Sequence, residues 1–145
     1  MRRVLAVAML VGAIAACGGD GGTSPPKDVD LTGTWSVTLS PISGHGMDCQ
    51  IANLQVTLTH TGNDLNGSYF ADDMVCNGQH SGPLGGEVVQ GTAVRGQLHF
   101  HFDTEDFDLH GTVASEDAAS GTYTIVINVA GTLYTFTGTW SAHRT

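Results

Sequence analysis

From Leu31 to the C-terminus, apolar and polar residues alternate in short runs broken by Gly, Asn and Asp. In a strand, successive side chains point to opposite faces, so such alternation predicts half-buried β-structure. One pattern recurs: an apolar residue, any residue, Gly, Thr or Ser, then an aromatic or β-branched residue. It reads Leu31-Thr32-Gly33-Thr34-Trp35, Leu65-Asn66-Gly67-Ser68-Tyr69 and Leu109-His110-Gly111-Thr112-Val113. It returns as Ala119-Ser120-Gly121-Thr122-Tyr123 and Phe136-Thr137-Gly138-Thr139-Trp140. Each copy puts two apolar side chains and a glycine gap on one face, and glycine there lets a sheet bend toward closure.

Turn residues divide the region into eight strands, near 31–40, 52–61, 64–71, 84–90, 93–103, 106–114, 119–129 and 132–143. The links Thr61-Gly62-Asn63-Asp64, Gly91-Thr92, Thr104-Glu105 and Ala130-Gly131 are short enough for hairpins. Consecutive hairpins form a meander, and at eight strands closure abolishes exposed edges. The expected fold is all-β: an eight-stranded antiparallel up-and-down barrel over residues 31–145. Its inward positions run through Trp35, Val37, Leu39, Val56, Leu58, Phe100, Phe102, Phe107, Ile125 and Ile127.

A different pattern precedes the barrel. Arg2 and Arg3 lead into the apolar run 4–16, which at about 1.5 Å per residue reaches only ~20 Å, short of a ~30 Å hydrocarbon core. A positive start, a short apolar stretch and a small-residue end describe an export signal. It closes on Ile14-Ala15-Ala16-Cys17, which resembles the lipobox of bacterial lipoproteins. The resemblance implies a signal peptide over 1–16, cleavage before Cys17 and lipid on that cysteine. Two or more acyl chains anchor stably, so the membrane is the first expected partner. Residues 17–30, with their Gly-Gly and Pro-Pro steps, read as a tether. Gly18, rather than Asp, follows the cysteine, which points to the outer membrane of a bacterial cell envelope.

The barrel itself resembles the calycins, the lipocalin-like and avidin-like barrels. Thr32-Gly33-Thr34-Trp35 followed by Leu65-Asn66-Gly67-Ser68-Tyr69 is similar to the opening two strand motifs of avidins. The biotin-contacting pattern is not matched: Val37, Pro41 and Ala71 stand where polar residues would be expected. The resemblance therefore carries a fold and no biotin site. It implies a barrel that binds a small apolar or amphipathic molecule, the alternative being a filled barrel with a structural or protein-interaction role.

Charge narrows the classes further. The 145 residues carry a formal charge of −9. Removal of residues 1–16 would leave Lys27, Arg95 and Arg144 against fourteen acids. Nucleic-acid binding needs basic clusters to displace counterions, so that class is excluded. No Gly-x-Ser-x-Gly, no Gly-rich phosphate loop before a helix and no carboxylate pair in a cleft suggests catalysis. The chain reads as a non-enzyme that works without a cofactor.

Four groups of residues remain as candidates. Cys49 and Cys76, in an oxidising compartment, favour a structural disulfide over a redox or metal pair, which would show C-x-x-C spacing. Both sit in the long loops 41–51 and 71–83, whose barrel end also gathers His45, Asp48, Asp72, Asp73, Asp103, Glu105 and Asp106 into an acidic rim. Trp35, Tyr69, Tyr123, Tyr134 and Trp140 could line an apolar pocket at that mouth. Finally, a turn at Thr104-Glu105 sets His101 opposite Asp108 and His99 opposite His110. Facing side chains sit ~5 Å apart at Cβ, which suits a Zn²⁺ or Cu²⁺ site, against the plainer reading of a polar outer face in water.

Overall fold

The computed structural model describes residues 29–103 and 106–145. The signal segment, Cys17, most of the tether and the Thr104-Glu105 turn lie outside the described residues. Twelve strands follow one another: β1 (Gly33–Leu39), β2 (Ile42–Gly44), β3 (Met47–Ala52), β4 (Leu54–Thr61), β5 (Asp64–Ala71) and β6 (Asp73–Cys76). Then come β7 (Gln79–His80), β8 (Leu84–Val94), β9 (Gln97–Phe102), β10 (Asp106–Ser115), β11 (Ala118–Val129) and β12 (Thr132–Arg144). No helix occurs among the described residues. Eight strands close into an antiparallel barrel in the order β1-β12-β11-β10-β9-β8-β5-β4, with β4 returning to β1. This is the expected all-β barrel, compatible with a calycin-like architecture.

Two local expectations are corrected. Gly91-Thr92 is not a turn: β8 runs on to Val94, and the chain reverses at Arg95-Gly96, whose φ angles are 50° and 77°. Positive φ at both central residues suits the right-handed twist of a tight hairpin, and Ala130-Gly131 shares it. At Gln90-Gly91 the register with both β5 and β9 slips, marking a bulge. A Cβ on Gly91 would stand 2.3 Å from the Leu65 carbonyl oxygen, so the close strand approach demands glycine there.

The second correction concerns the segments 41–51 and 71–83, which are not plain loops. They fold into a second sheet, β2-β3-β6-β7. Their backbones pair with one another, β3 with β6 at the centre, and Cys49/Ile51 and Met74/Cys76 supply a short period-two pattern that a turn-based reading passes over.

Aromatic rings run through the barrel interior. Trp140 meets Phe100 at 6.0 Å between centroids, Phe100 meets Phe102 at 5.8 Å, and Phe102 stacks on Tyr69 at 4.2 Å. Edge-to-face contacts continue from Phe102 to Phe107 and on to Tyr123. Such pairs add about 0.5–1.5 kcal/mol beyond their burial. At one end, Arg144 closes the barrel. Its guanidinium lies 4.8 Å over the Trp35 ring and donates to the carbonyls of Asp30, Thr32 and Glu116. The first described residues thus enter beside β1 at this closed end, and the second sheet lies at the other.

Candidate functional site

The open end holds a cavity of about 280 Å³. Its walls come from Leu54, Tyr69, Ala71, Leu84, Phe102, Phe107 and Ile125, all on barrel strands. Its roof comes from Ile51 and Met74, which face each other across β3 and β6. Two residues along on the same side, Cys49 is paired with Cys76, and the two form a disulfide. That bond links the strands carrying the roof, and Cys49 is fully buried beneath it. The tip of the β2–β3 hairpin rests on β12, where His45 meets Tyr134 and Phe136 at 5.1 and 5.8 Å.

Lower in the barrel, Trp35, Val37, Phe100 and Trp140 leave only about 20 Å³ between them, with an apolar lining. That is room for one water at most, and an apolar void stays dry. The interior is therefore filled at the closed end and hollow at the mouth.

This layering separates the five aromatic candidates. Tyr69 lines the cavity at the mouth, whereas Trp35 and Trp140 belong to the filled layer. The two tryptophans do share the seam between β1 and β12, four residues apart in register. Trp35 Nε1 donates to the Leu31 carbonyl, and Trp140 Nε1 donates to those of His110 and Thr122. Tyr123 is buried with its hydroxyl donating to Ser40 and Pro41 carbonyls, and Tyr134 faces His45 at the hairpin tip. Neither lines the cavity. Sequence reasoning missed Ile51, Ala71, Met74 and Leu84, because it assigned two of them to loops and gave small Ala71 no role.

The rim is acidic. Asp48, Asp72, Asp73, Asp103 and Asp106 all sit in the strand ends and connections at the mouth, and Glu105 lies outside the described residues. Both described cations, Arg95 and Arg144, are at the closed end. Several rim carboxylates have structural duties. Asp73 bonds His80 and accepts from the Gly82 N–H at 2.8 Å. The hydrogen bond from His80 is the main reason its carboxyl sits below the usual aspartate range. Asp72 accepts from Asn53 at 2.6 Å, and Asp103 accepts from the Glu87 N–H at 2.9 Å.

The histidine face of β9 and β10 has the expected register. His101 pairs with Asp108 and His99 with His110, opposite in facing to the buried Phe100, Phe102, Phe107 and Leu109. His99 Nε2 and His101 Nδ1 lie 3.0 and 3.2 Å from one Asp108 oxygen. Partial burial works to raise the Asp108 carboxyl, but the two imidazole hydrogen bonds outweigh it and hold it below its ordinary value.

No protein-family model matches the chain, and no curated protein matches it. The functional reading therefore rests on the site itself.

Proposed function

We propose that the chain is an exported, lipid-anchored calycin-like barrel that binds a small apolar or amphipathic molecule at its mouth. The observation that carries this reading is the cavity of about 280 Å³ under the Ile51–Met74 roof. Ligand pockets are concave, mostly apolar and about 300–1,000 Å³, so the volume suits a compact ligand. An anchor on Cys17 agrees with the described topology. The chain enters at the closed end, so a tether there leaves the mouth facing away from the membrane. A bacterial outer membrane is the matching location for a barrel so anchored.

Titration of the full chain with N-phenylnaphthylamine, an uncharged fluorophore, tests the binding. Saturable one-to-one enhancement is expected, lost in Ala71→Phe, which fills the cavity, and kept in Trp35→Phe, which alters only the filled layer. Absence of any response would leave a structural or interaction role for the barrel. Labelled palmitate in a bacterial host tests the anchor: incorporation should vanish in Cys17→Ser.

A further inference from the structure

The outer face of β9 and β10 carries ligand-type side chains that the mouth cavity does not use. His99, His101, Asp108 and His110 turn toward one another instead of dispersing into water. The His99 and His110 rings stack at 4.4 Å between centroids, 20° from parallel. One ligand-type atom from each of His99, Asp108 and His110 lies within 4.8 Å of the other two. Tetrahedral Zn²⁺, with bonds of about 2.0–2.1 Å, holds its ligand atoms roughly 3.3 Å apart. Closing that difference takes side-chain rotation on two strands whose backbones are already paired in register.

We propose that His99, Asp108 and His110 form a binding site for Zn²⁺ or Cu²⁺, with His101 as a positioning residue. Three features beyond proximity support it. Imidazole and a single carboxylate suit borderline transition metals and give Ca²⁺ too few oxygens. A carboxylate only accepts, so His101 Nδ1 carries the proton it shares with Asp108 and fixes that side chain, as metal-ligand partners commonly do. The surroundings also leave the site unopposed. Across the flanking strands, Thr92 faces His99, Thr124 faces Asp108 and Thr122 faces His110. Among the described residues the ion pairs of Asp108 are with His99 and His101, and neither arginine shares them. His110 is exposed, which leaves an open coordination position toward solvent. On binding, His99 Nε2 gives up the proton shared with Asp108 and takes it at Nδ1, so the ring stays neutral.

This inference does not depend on the mouth cavity. Isothermal titration of the full chain with ZnCl₂, CuCl₂ and CaCl₂ tests it. One-to-one binding of Zn²⁺ or Cu²⁺ is expected, with none for Ca²⁺. His99→Ala and His110→Asn, the latter at an exposed position, should each weaken it more than about 100-fold. His101→Ala should keep the stoichiometry and weaken it about 10–100-fold. The double variant His45→Asn, His80→Asn, which removes imidazoles at the mouth, should bind as the wild type does. A thermal melt should rise with Zn²⁺ in the wild type and stay fixed in His110→Asn, which keeps the test available if His99→Ala does not fold. Absent binding, binding insensitive to His99 and His110, binding lost with His45 and His80, or equal uptake of Ca²⁺ would each overturn the proposal.

Discussion

The indole of Trp140 occupies the space that a side chain on Gly111 would need. A Cβ built on Gly111 would stand 2.4 Å from Trp140 Cζ2. Between them in the sheet lies Gly121, paired with both residues. The indole N–H reaches across to the carbonyls of Thr122, on the adjacent β11, and His110, on β10 beyond it. Two copies of the repeated motif thus contribute glycines and a third contributes the ring that covers them. Tyr123 and Gly138 repeat the arrangement one strand over, with the Tyr123 ring 2.5 Å from a Cβ placed on Gly138.

Gly111→Ala should therefore destabilise the barrel by about 1–3 kcal/mol, the usual cost of overpacking a filled interior. Urea unfolding followed by tryptophan fluorescence measures it. An equal change at Gly62, which has open space around it, removes no such contact but meets a positive φ of 66°, so its cost is conformational and leaves the Trp140 emission unchanged.

Arg144 holds the closed end together through three backbone carbonyls and the face of Trp35. Arg144→Ala should cost about 2–3 kcal/mol, since hydrogen bonds to a charged group are worth ~1.5–3 kcal/mol and several are lost together. Arg144→Lys should recover little, because an ammonium lacks the planar fork that reaches Asp30, Thr32 and Glu116 at once. Red-shifted Trp35 emission should accompany both losses.

Removing the Cys49–Cys76 bond frees a loop with a sequence separation of 27. Chain entropy puts the loss near ~3.6 kcal/mol. The paired variant Cys49→Ser, Cys76→Ser should lower the urea midpoint accordingly. Because the bond joins the two strands that roof the cavity, N-phenylnaphthylamine affinity should fall as well, even well below the unfolding transition.

Asp73 gives an acid dependence of known sign. Its carboxyl titrates below 3.8 in the folded chain, chiefly through the His80 hydrogen bond. The stabilisation it brings is complete above that ordinary value and disappears as pH falls through the lower folded value. Urea midpoints of the wild type should thus drop as pH falls below 3.8, and Asp73→Asn should flatten part of that drop. Identical slopes would show that Asp73 has no share in it.

Local chemistry determined much of this protein. Alternation of apolar and polar residues is a property of the chain's nearest neighbours, so it separated the inward Trp35, Phe100, Phe107 and Ile125 from the outward His99, His101 and Asp108. A turn expected at Thr104-Glu105 predicted the pairing of those two strands to the residue, as their register shows. The proposed export signal and Cys17 anchor rest on short linear segments alone. Tertiary structure decided the rest. Whether Gly91 turns or bulges depended on how closely the Leu65 carbonyl approaches from another strand. The β3 and β6 segments became a roof because, besides their local partners β2 and β7, they pair with each other across the mouth, where a cysteine in each joins them. Which aromatics pack and which surround a void depended on the height of each ring along the barrel. Trp140 could fill the lower layer because glycines on two neighbouring strands left it room, while small Ala71 left the upper layer hollow.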